Sequence, residues 1–191
     1  MARESVESML KRRVERAADE LERAGKRRNV PVSHKTARGK MVRQALAQGE
    51  RGDVLMLRAP EDGRRARLAQ GSRALRGPVM LWYDECPSAM ASCDLALHLA
   101  RHAGSGLLVG FPEGRYASEA ELRQQLDRVL GQAPGPVWLR SLPQARADLL
   151  IDAARAARVT QLVLAGEGPL ASEDSLEQLY ALLGAGLILV R

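Results

Sequence analysis

Residues 78–89, Pro78-Val79-Met80-Leu81-Trp82-Tyr83-Asp84-Glu85-Cys86-Pro87-Ser88-Ala89, decide the fold of this chain. They open with an apolar run of strand length that ends at Asp84. An amphipathic stretch then leads to a second apolar run at 107–111. A continuous apolar run predicts a strand buried on both faces, and two such runs around a helix predict a βαβ unit.

The same alternation continues to the end of the chain. Further apolar runs at 137–139, 162–166 and 186–190 are separated by stretches of helical period. Five strands alternating with four helices predict an α/β fold with a doubly wound, mostly parallel five-stranded sheet. Its strand order is expected to be adenine nucleotide alpha hydrolase-like or flavodoxin-like.

The chain before this stretch has a similar but shorter pattern. A helix is predicted over 3–24, with Gly25 as its stop, and its narrow apolar stripe needs a partner. A strand at 30–33, a helix up to Gly49, a strand at 53–57 and a short basic helix at 64–75 follow. We therefore predict two domains, a basic partial repeat at 1–77 and a complete unit at 78–191.

The charge is divided between these two parts. Residues 1–77 hold 20 Lys and Arg against 10 Asp and Glu, whereas residues 78–191 hold 9 against 13. A net charge of +10 predicts contact with an anionic surface. The first part has no aromatic residue for base stacking, which counts against nucleic acid and favours anionic lipid. The predicted contacts are Lys26, Arg27, Arg28, Arg64, Arg65 and Arg67.

The two cysteines, Cys86 and Cys93, have neither zinc-site nor redox-motif spacing and are expected to be reduced thiols. No apolar run is long enough to span a membrane, and no secretory signal precedes Leu21. We expect a cytoplasmic chain, free or at the cytosolic face of the inner membrane as part of a longer protein.

From Val79 onward the order of features resembles the universal stress protein family. Asp84, Pro87, Ser88 and Ala89 stand at the turn that follows the first strand of that family, and 187–190 stand at its closing strand. The resemblance implies the same fold. It also implies a ligand site at the carboxyl end of the first strand, for which we predict Asp84, Ser88, Gly166 and Gly168.

The chain departs from the phosphate-binding loop of that family, G-x2-G-x9-G-[ST]. Pro169 replaces the second glycine and lacks an N–H donor, and Glu85 replaces the glycine after the first-strand Asp. Four carboxylates are expected to crowd the phosphates, and each costs about 4 kcal/mol at ~4 Å and an effective dielectric of ~20. We predict no ATP binding but leave a smaller nucleotide open. These carboxylates belong to Glu85, Glu167, Glu173 and Asp174.

A second resemblance is to the cytosolic C-terminal domains of cation-chloride cotransporters and amino-acid permeases. The run Leu81-Trp82-Tyr83-Asp84 is similar to their second-unit strand, and Leu189-Val190-Arg191 to their last strand. This resemblance implies a transport domain as partner.

Candidate chemistry is weak. His98 and His102 share a helix face near Asp94, but no further ligand completes a metal site, and a polar helix face explains them. Ser88 lacks a nucleophile elbow and is better explained as an N-cap. We expect no catalytic residue, metal or cofactor.

The sequence therefore predicts a non-catalytic cytosolic regulatory domain that acts on a membrane transporter by dimerisation or by contact. One alternative is a free-standing universal stress protein that binds a small nucleotide, and a second is a basic nucleic-acid-binding module. In each case we expect a homodimer, with the apolar stripe of helix 3–24 as its assembly element.

Overall fold

The computed structural model describes residues 2–33, 39–50, 52–57, 77–115, 119–131 and 133–191. The chain divides into two compact units, 1–40 and 41–191. This division differs from the predicted boundary after residue 77, because the helix and strand within 41–57 belong to the second unit. The predicted basic helix at 64–75 lies outside the described residues.

The first unit is built on one long helix, α1 (Ala2–Arg28). It ends where Asn29 adopts a left-handed conformation with φ 53°. The Val30 N–H donates to the Gly25 carbonyl at 3.0 Å and the Asn29 N–H to the Lys26 carbonyl at 3.4 Å, a Schellman closure. Neither α1 nor any other helix in the described residues is long and apolar enough to cross a membrane.

Gly25 does not stop the helix as the sequence predicted. It is buried, and a Cβ at this position would lie 2.7 Å from the Val30 carbonyl oxygen and in contact with Val32. The chain therefore turns back over Gly25, and only a glycine permits the close approach. Residues 30–33 are an extended return segment, and the strand predicted there is not formed.

The second unit alternates strands and helices. Its elements, in chain order, are α2 (Met41–Gln48), β1 (Val54–Leu57), β2 (Val79–Trp82), α3 (Ala89–Ala103), β3 (Leu107–Pro112), α4 (Glu119–Leu130), β4 (Val137–Leu142), α5 (Ala147–Ala156), β5 (Gln161–Ala165), a 3-10 turn (Pro169–Ala171), α6 (Glu173–Leu182) and β6 (Gly186–Val190).

These strands form one sheet in the order β1-β6-β5-β2-β3-β4. The five strands β2 to β6 are parallel, and β1 pairs with β6 in the antiparallel sense. The predicted α/β class with a mostly parallel sheet is confirmed, but the sheet has six strands and not five. Numbered from β2, the parallel strands follow the order 3-2-1-4-5, which is not the flavodoxin-like order.

Helices cover both faces of the sheet. On one face α3 and α4 bury side chains such as Leu81, Val109 and Leu126, and on the other α2, α5 and α6 bury side chains such as Trp82 and Leu164. All four residues of β2 are buried, so it has the two-faced burial that its continuous apolar run predicts.

The predicted half-copy does not form a sheet of its own in the described residues. Val42 of α2 is buried in the core shared with α5 and α6, and Leu55 and Leu57 of β1 pack against the same core. The segment 41–57 therefore extends the second unit by a helix and an edge strand.

Candidate functional site

The carboxyl ends of β2 and β5 form the switch point of the sheet. The two strands are parallel neighbours. The helix after β2, α3, packs on one face, and the helix after β5, α6, packs on the other. The chain leaves the two strands in opposite directions and opens a crevice between them, which is where open α/β sheets bind ligands.

Asp84 and Gly168 meet in this crevice. The Asp84 side chain is only 5% exposed, and its Cγ would lie 2.9 Å from a Cβ added to Gly168. Only glycine therefore fits at position 168 without displacing the carboxylate. The sequence predicted both residues for the site, and the structure brings them into contact.

One oxygen of this carboxylate has no partner. Asp84 Oδ1 is buried, and the part of the chain that the structure describes offers it no hydrogen bond. An unsatisfied buried carboxylate oxygen is costly, and native proteins retain few of them. Asp84 is therefore the strongest candidate ligand-binding residue.

Glu85, the next residue, is held in a strained conformation. It adopts φ 55°, the left-handed region, which costs a non-glycine residue about 1–2 kcal/mol. Its Oε2 lies 3.7 Å from Arg115 Nε in a half-exposed ion pair. The resemblance predicted a glycine at this position. Glu85 adopts the left-handed conformation that a glycine would adopt without strain.

Ser88 is at the N-cap of α3, but its hydroxyl does not cap the helix. The Ser88 Oγ lies 3.7 Å from Cys86 Sγ. Its carbonyl oxygen accepts from the hydroxyl of Ser92 at 2.9 Å. The sequence located the cap position correctly, whereas the predicted side-chain capping bond is not formed.

The two thiols are held in their protonated form. Burial, followed by a hydrogen bond to the Asp84 carboxylate, raises the pKa of Cys86 above its usual value. Burial, together with the negative charge of Asp94, raises the pKa of Cys93 to about 12. Because the thiolate is the reactive form, neither cysteine is activated as a nucleophile.

A groove of about 570 Å³ adjoins the switch point. On one side it is formed by the start of α3 and on the other by the ends of β5 and β6 and the turn before β1. The residues that line it are Gly52, Pro87, Ser88, Ala91, Glu167 and Arg191.

Arg191 holds one side of the groove in place. Its Nη1 donates to the carbonyl oxygens of Leu46 at 3.0 Å and Gly49 at 2.7 Å, at the end of α2. Gly166 lies behind it, because a Cβ there would be 2.9 Å from Arg191 Cγ. Gly166 therefore packs against the end of β6, and its predicted role in ligand binding stays a prediction.

The segment after β5 is a short turn and not a long glycine loop. The Ala171 N–H donates to the Gly168 carbonyl at 2.9 Å, and Ser172 Oγ accepts from the Ser175 N–H at 3.3 Å to cap α6. The chain thus passes from β5 into α6 in seven residues, 166–172. This turn differs from the phosphate-binding loop of the universal stress protein family.

The four carboxylates that were expected to crowd phosphates are not all at the switch point. Glu85 follows β2 and Glu167 lines the groove. Glu173 and Asp174 lie in the first turn of α6, where acidic side chains favour the helix dipole, and Glu173 is 4.0 Å from Arg43. The positions of Glu173 and Asp174 are therefore explained by the start of α6 and not by repulsion of phosphates at the switch point.

The other candidate residues lie elsewhere. Lys26, Arg27 and Arg28 are exposed in the last turn of α1, while Arg64, Arg65 and Arg67 lie outside the described residues. His98 and His102 are exposed on α3, and no cluster of three metal-ligating side chains occurs among the described residues. Neither Arg191 nor Gly52 was predicted as a site residue, because their contacts span more than a hundred residues of sequence.

The chain is similar in fold to solved universal stress proteins. One, in complex with cAMP, is 15% identical with a TM-score of 0.46, over 61% of this chain and 98% of that one. The Archaeoglobus fulgidus protein in complex with dAMP is 19% identical with a TM-score of 0.47, over 61% and 99%. The Lactobacillus plantarum protein is 16% identical with a TM-score of 0.45, over 62% and 100%.

No protein-family model and no curated protein matches the chain. These neighbours are universal stress proteins, the family that the sequence resembles, while the transporter-domain variant stays a prediction.

The reactivity of the Cys86 thiol depends on the negative charge of the Asp84 carboxylate. We expect Cys86 in the native protein to react with iodoacetamide only at strongly alkaline pH. Replacing Asp84 with Asn removes the negative charge that opposes the thiolate, so the rate profile should shift to lower pH. Cys93 is 1% exposed and should stay unmodified in both proteins, which provides an internal control. Peptide mass spectrometry measures both sites, and identical profiles for the two proteins would contradict the assigned contact.

Proposed function

We propose that this chain is a non-catalytic regulatory domain of universal stress protein-like fold that acts through ligand-dependent contact or self-association. The observation that carries the proposal is the switch point, where a buried carboxylate faces a short turn and the adjacent thiols are protonated. Such a site is suited to holding a ligand and lacks an activated nucleophile. Regulation of a membrane transport domain in the cytoplasm remains our preferred role.

Two features of the switch point argue against a triphosphate. Glu85 and Glu167 bring negative charge to the ends of β2 and β5, and Pro169 removes an N–H donor from the turn. The groove of about 570 Å³ beside the switch point, lined in part by Ser88 and Glu167, nevertheless has room for a smaller ligand. This space favours one alternative function, the binding of a small nucleotide or nucleoside by a free-standing protein.

Calorimetry distinguishes these functions. We expect no heat of binding from Mg-ATP at tens of micromolar protein, because the site repels phosphates. A dissociation constant below about 10 μM, equivalent to some 7 kcal/mol of favourable contacts, would contradict the proposal. Adenosine is the matched probe without phosphates. Saturable binding of adenosine that is lost in an Asp84→Asn variant would support the alternative function.

The basic end of α1 is proposed to contact anionic lipid. Lys26, Arg27 and Arg28 are exposed together in the last turn, where no acidic residue is interleaved. Each basic residue near an anionic membrane contributes about 1 kcal/mol. Their location at a helix carboxyl end is also favourable in itself, so the lipid contact needs its own test.

Liposome co-sedimentation provides that test. We expect binding to vesicles with phosphatidylserine, little binding to neutral vesicles, and weakening at high salt. Replacing Lys26, Arg27 and Arg28 together with Gln should abolish it. The matched control replaces Lys11, Arg12 and Arg16, the same number of charges on the same helix but interleaved with acids. Equal loss in both variants would mean that net charge alone, and not this turn, is responsible.

The apolar stripe of α1 is proposed as an assembly element for a homodimer. Val14 and Leu21 lie seven residues apart on the helix and are exposed, and Ala17 between them is exposed as well. Seven-residue spacing places apolar side chains along one seam, as in paired helices. Within the described residues of the first unit, this part of the stripe is open to solvent.

Sedimentation velocity tests the role of α1. Replacing Val14 and Leu21 together with Asp puts two charges on the seam, so we expect weaker self-association, seen as a lower average sedimentation coefficient, at tens of micromolar protein. The control places Asp at Arg12 and Arg16, which are exposed on the same helix. A wild-type protein that sediments as a monomer would refute the assembly role.

A further inference from the structure

The outer edge of β1 is unpaired within the part of the chain that the structure describes. β1 pairs with β6 on one side, and among the described residues no strand lies on its other side. The Arg191 N–H donates to the Asp53 carbonyl at 3.0 Å, and Leu55 is opposite Leu189. Along an antiparallel strand, the backbone N–H and C=O groups of successive residues point alternately to the two sides of the strand. The backbone groups that point towards β6 are therefore those of Asp53, Leu55 and Leu57. Val54 and Met56 turn theirs outward.

The two edges of the sheet differ in their protection. β4, at the opposite edge, has exposed Arg140 and Ser141 and is flanked by Pro136 and Pro143. Charges and prolines are the usual means by which proteins prevent edge pairing. β1, with the sequence Val-Leu-Met-Leu, has none of them between Val54 and Leu57, and its nearest charges lie just outside the strand, at Asp53 and Arg58.

Exposed apolar side chains are concentrated at the β1 edge. Val54 is 46% and Met56 64% exposed. They point to the side of the sheet opposite the core in which Leu55 and Leu57 pack, which is the α3 side. Met41 is also exposed, but α2 packs on the opposite side of the sheet. The described residues of the second unit have only three other large exposed apolar side chains, Met90, Trp138 and Leu182.

We propose that β1 pairs in the antiparallel sense with β1 of a second copy, joining the two sheets into one. The proposal rests on the self-association proposed above and names a different surface for it. A two-fold axis through Leu55, perpendicular to the sheet, keeps the α3 sides of both sheets together. It sets Val54 opposite the second copy's Met56.

This register satisfies the backbone and the side chains at once. Val54 and Met56 are the residues whose backbone groups point outward, so the two Val54–Met56 pairs form four inter-strand hydrogen bonds. Their apolar side chains lie on the same side of both sheets and form cross-strand contacts. A shift by one residue would set outward-facing backbone groups against inward-facing ones. The edge is thus complementary to itself, which favours a second copy over an unrelated partner.

Amide hydrogen exchange of the full chain tests the pairing directly. At concentrations where the protein is dimeric, we expect the N–H groups of Val54 and Met56 to exchange at least about tenfold more slowly than at high dilution. The N–H groups of Leu55 and Leu57 face β6 and should be protected at both concentrations, so they report that β1 stays in place. Fast exchange at Val54 and Met56 in the dimer would overturn the proposal.

Edge variants separate this interface from α1. Met56→Lys adds a charge to the edge, and Met56→Pro removes an outward N–H without breaking a bond to β6. Each substitution is introduced into the wild-type chain and into the Val14→Asp/Leu21→Asp chain. Sedimentation velocity then measures how strongly each variant self-associates. Met90→Lys, a change at another exposed methionine of the same unit, is the control. Circular dichroism confirms that each variant is folded.

Each outcome decides between the two surfaces. If β1 is an interface, the Val14→Asp/Leu21→Asp chain still associates, and Met56→Lys or Met56→Pro then makes it monomeric. The β1 proposal fails if the Val14→Asp/Leu21→Asp chain is already monomeric. It also fails if both Met56 variants associate as strongly as the wild type and Met90→Lys. In either case the role of α1 stands. A monomeric wild-type chain overturns both.

Discussion

The burial of β2 on both faces is the constraint from which the rest of the second unit follows. Every residue from Val79 to Trp82 is at most 1% exposed, so each face of the sheet needs a layer of helices. α3 and α4 supply one layer, and α2, α5 and α6 supply the other. With β5 beside β2 and its helix on the opposite face, the crevice at their carboxyl ends is a consequence of packing.

Asp84 shows the cost of placing a polar group where such a strand ends. The strand carries the carboxylate into a nearly dry position, so its neighbours must adapt to it. Position 168 has room only for a glycine, and the pKa of the Cys86 thiol is raised. The next residue, Glu85, has a left-handed backbone conformation. Strained and unsatisfied groups that are concentrated at one point are typical of binding sites, where function compensates the lost stability.

The sequence predicted the features that depend on local pattern. Continuous apolar runs predicted the parallel strands, and the turn after Asp84 was correctly located at the end of β2. The strand at 53–57 was predicted too, but its place in the sheet was not, because no local signal in residues 54–57 shows that they pair with 187–190. Gly25 was misinterpreted for a similar reason, since a glycine that ends a helix and one that admits Val30 and Val32 look alike in sequence. Ser88 and Gly166 were placed correctly along the chain, but their contacts depend on tertiary structure.

Arg191 has a consequence for the order in which the chain folds. Its guanidinium holds the end of α2 at Leu46 and Gly49, and its backbone bonds to Gly52 and Asp53, so these contacts span more than 135 residues. Contacts so distant in sequence form late, after the loop-closure entropy has been paid. While the chain is being synthesised, β1 must wait for β6, which is the last strand of this sheet in chain order. The early part of the second unit thus spends the longest time with an uncovered strand, and neighbouring nascent chains are its nearest alternative partners.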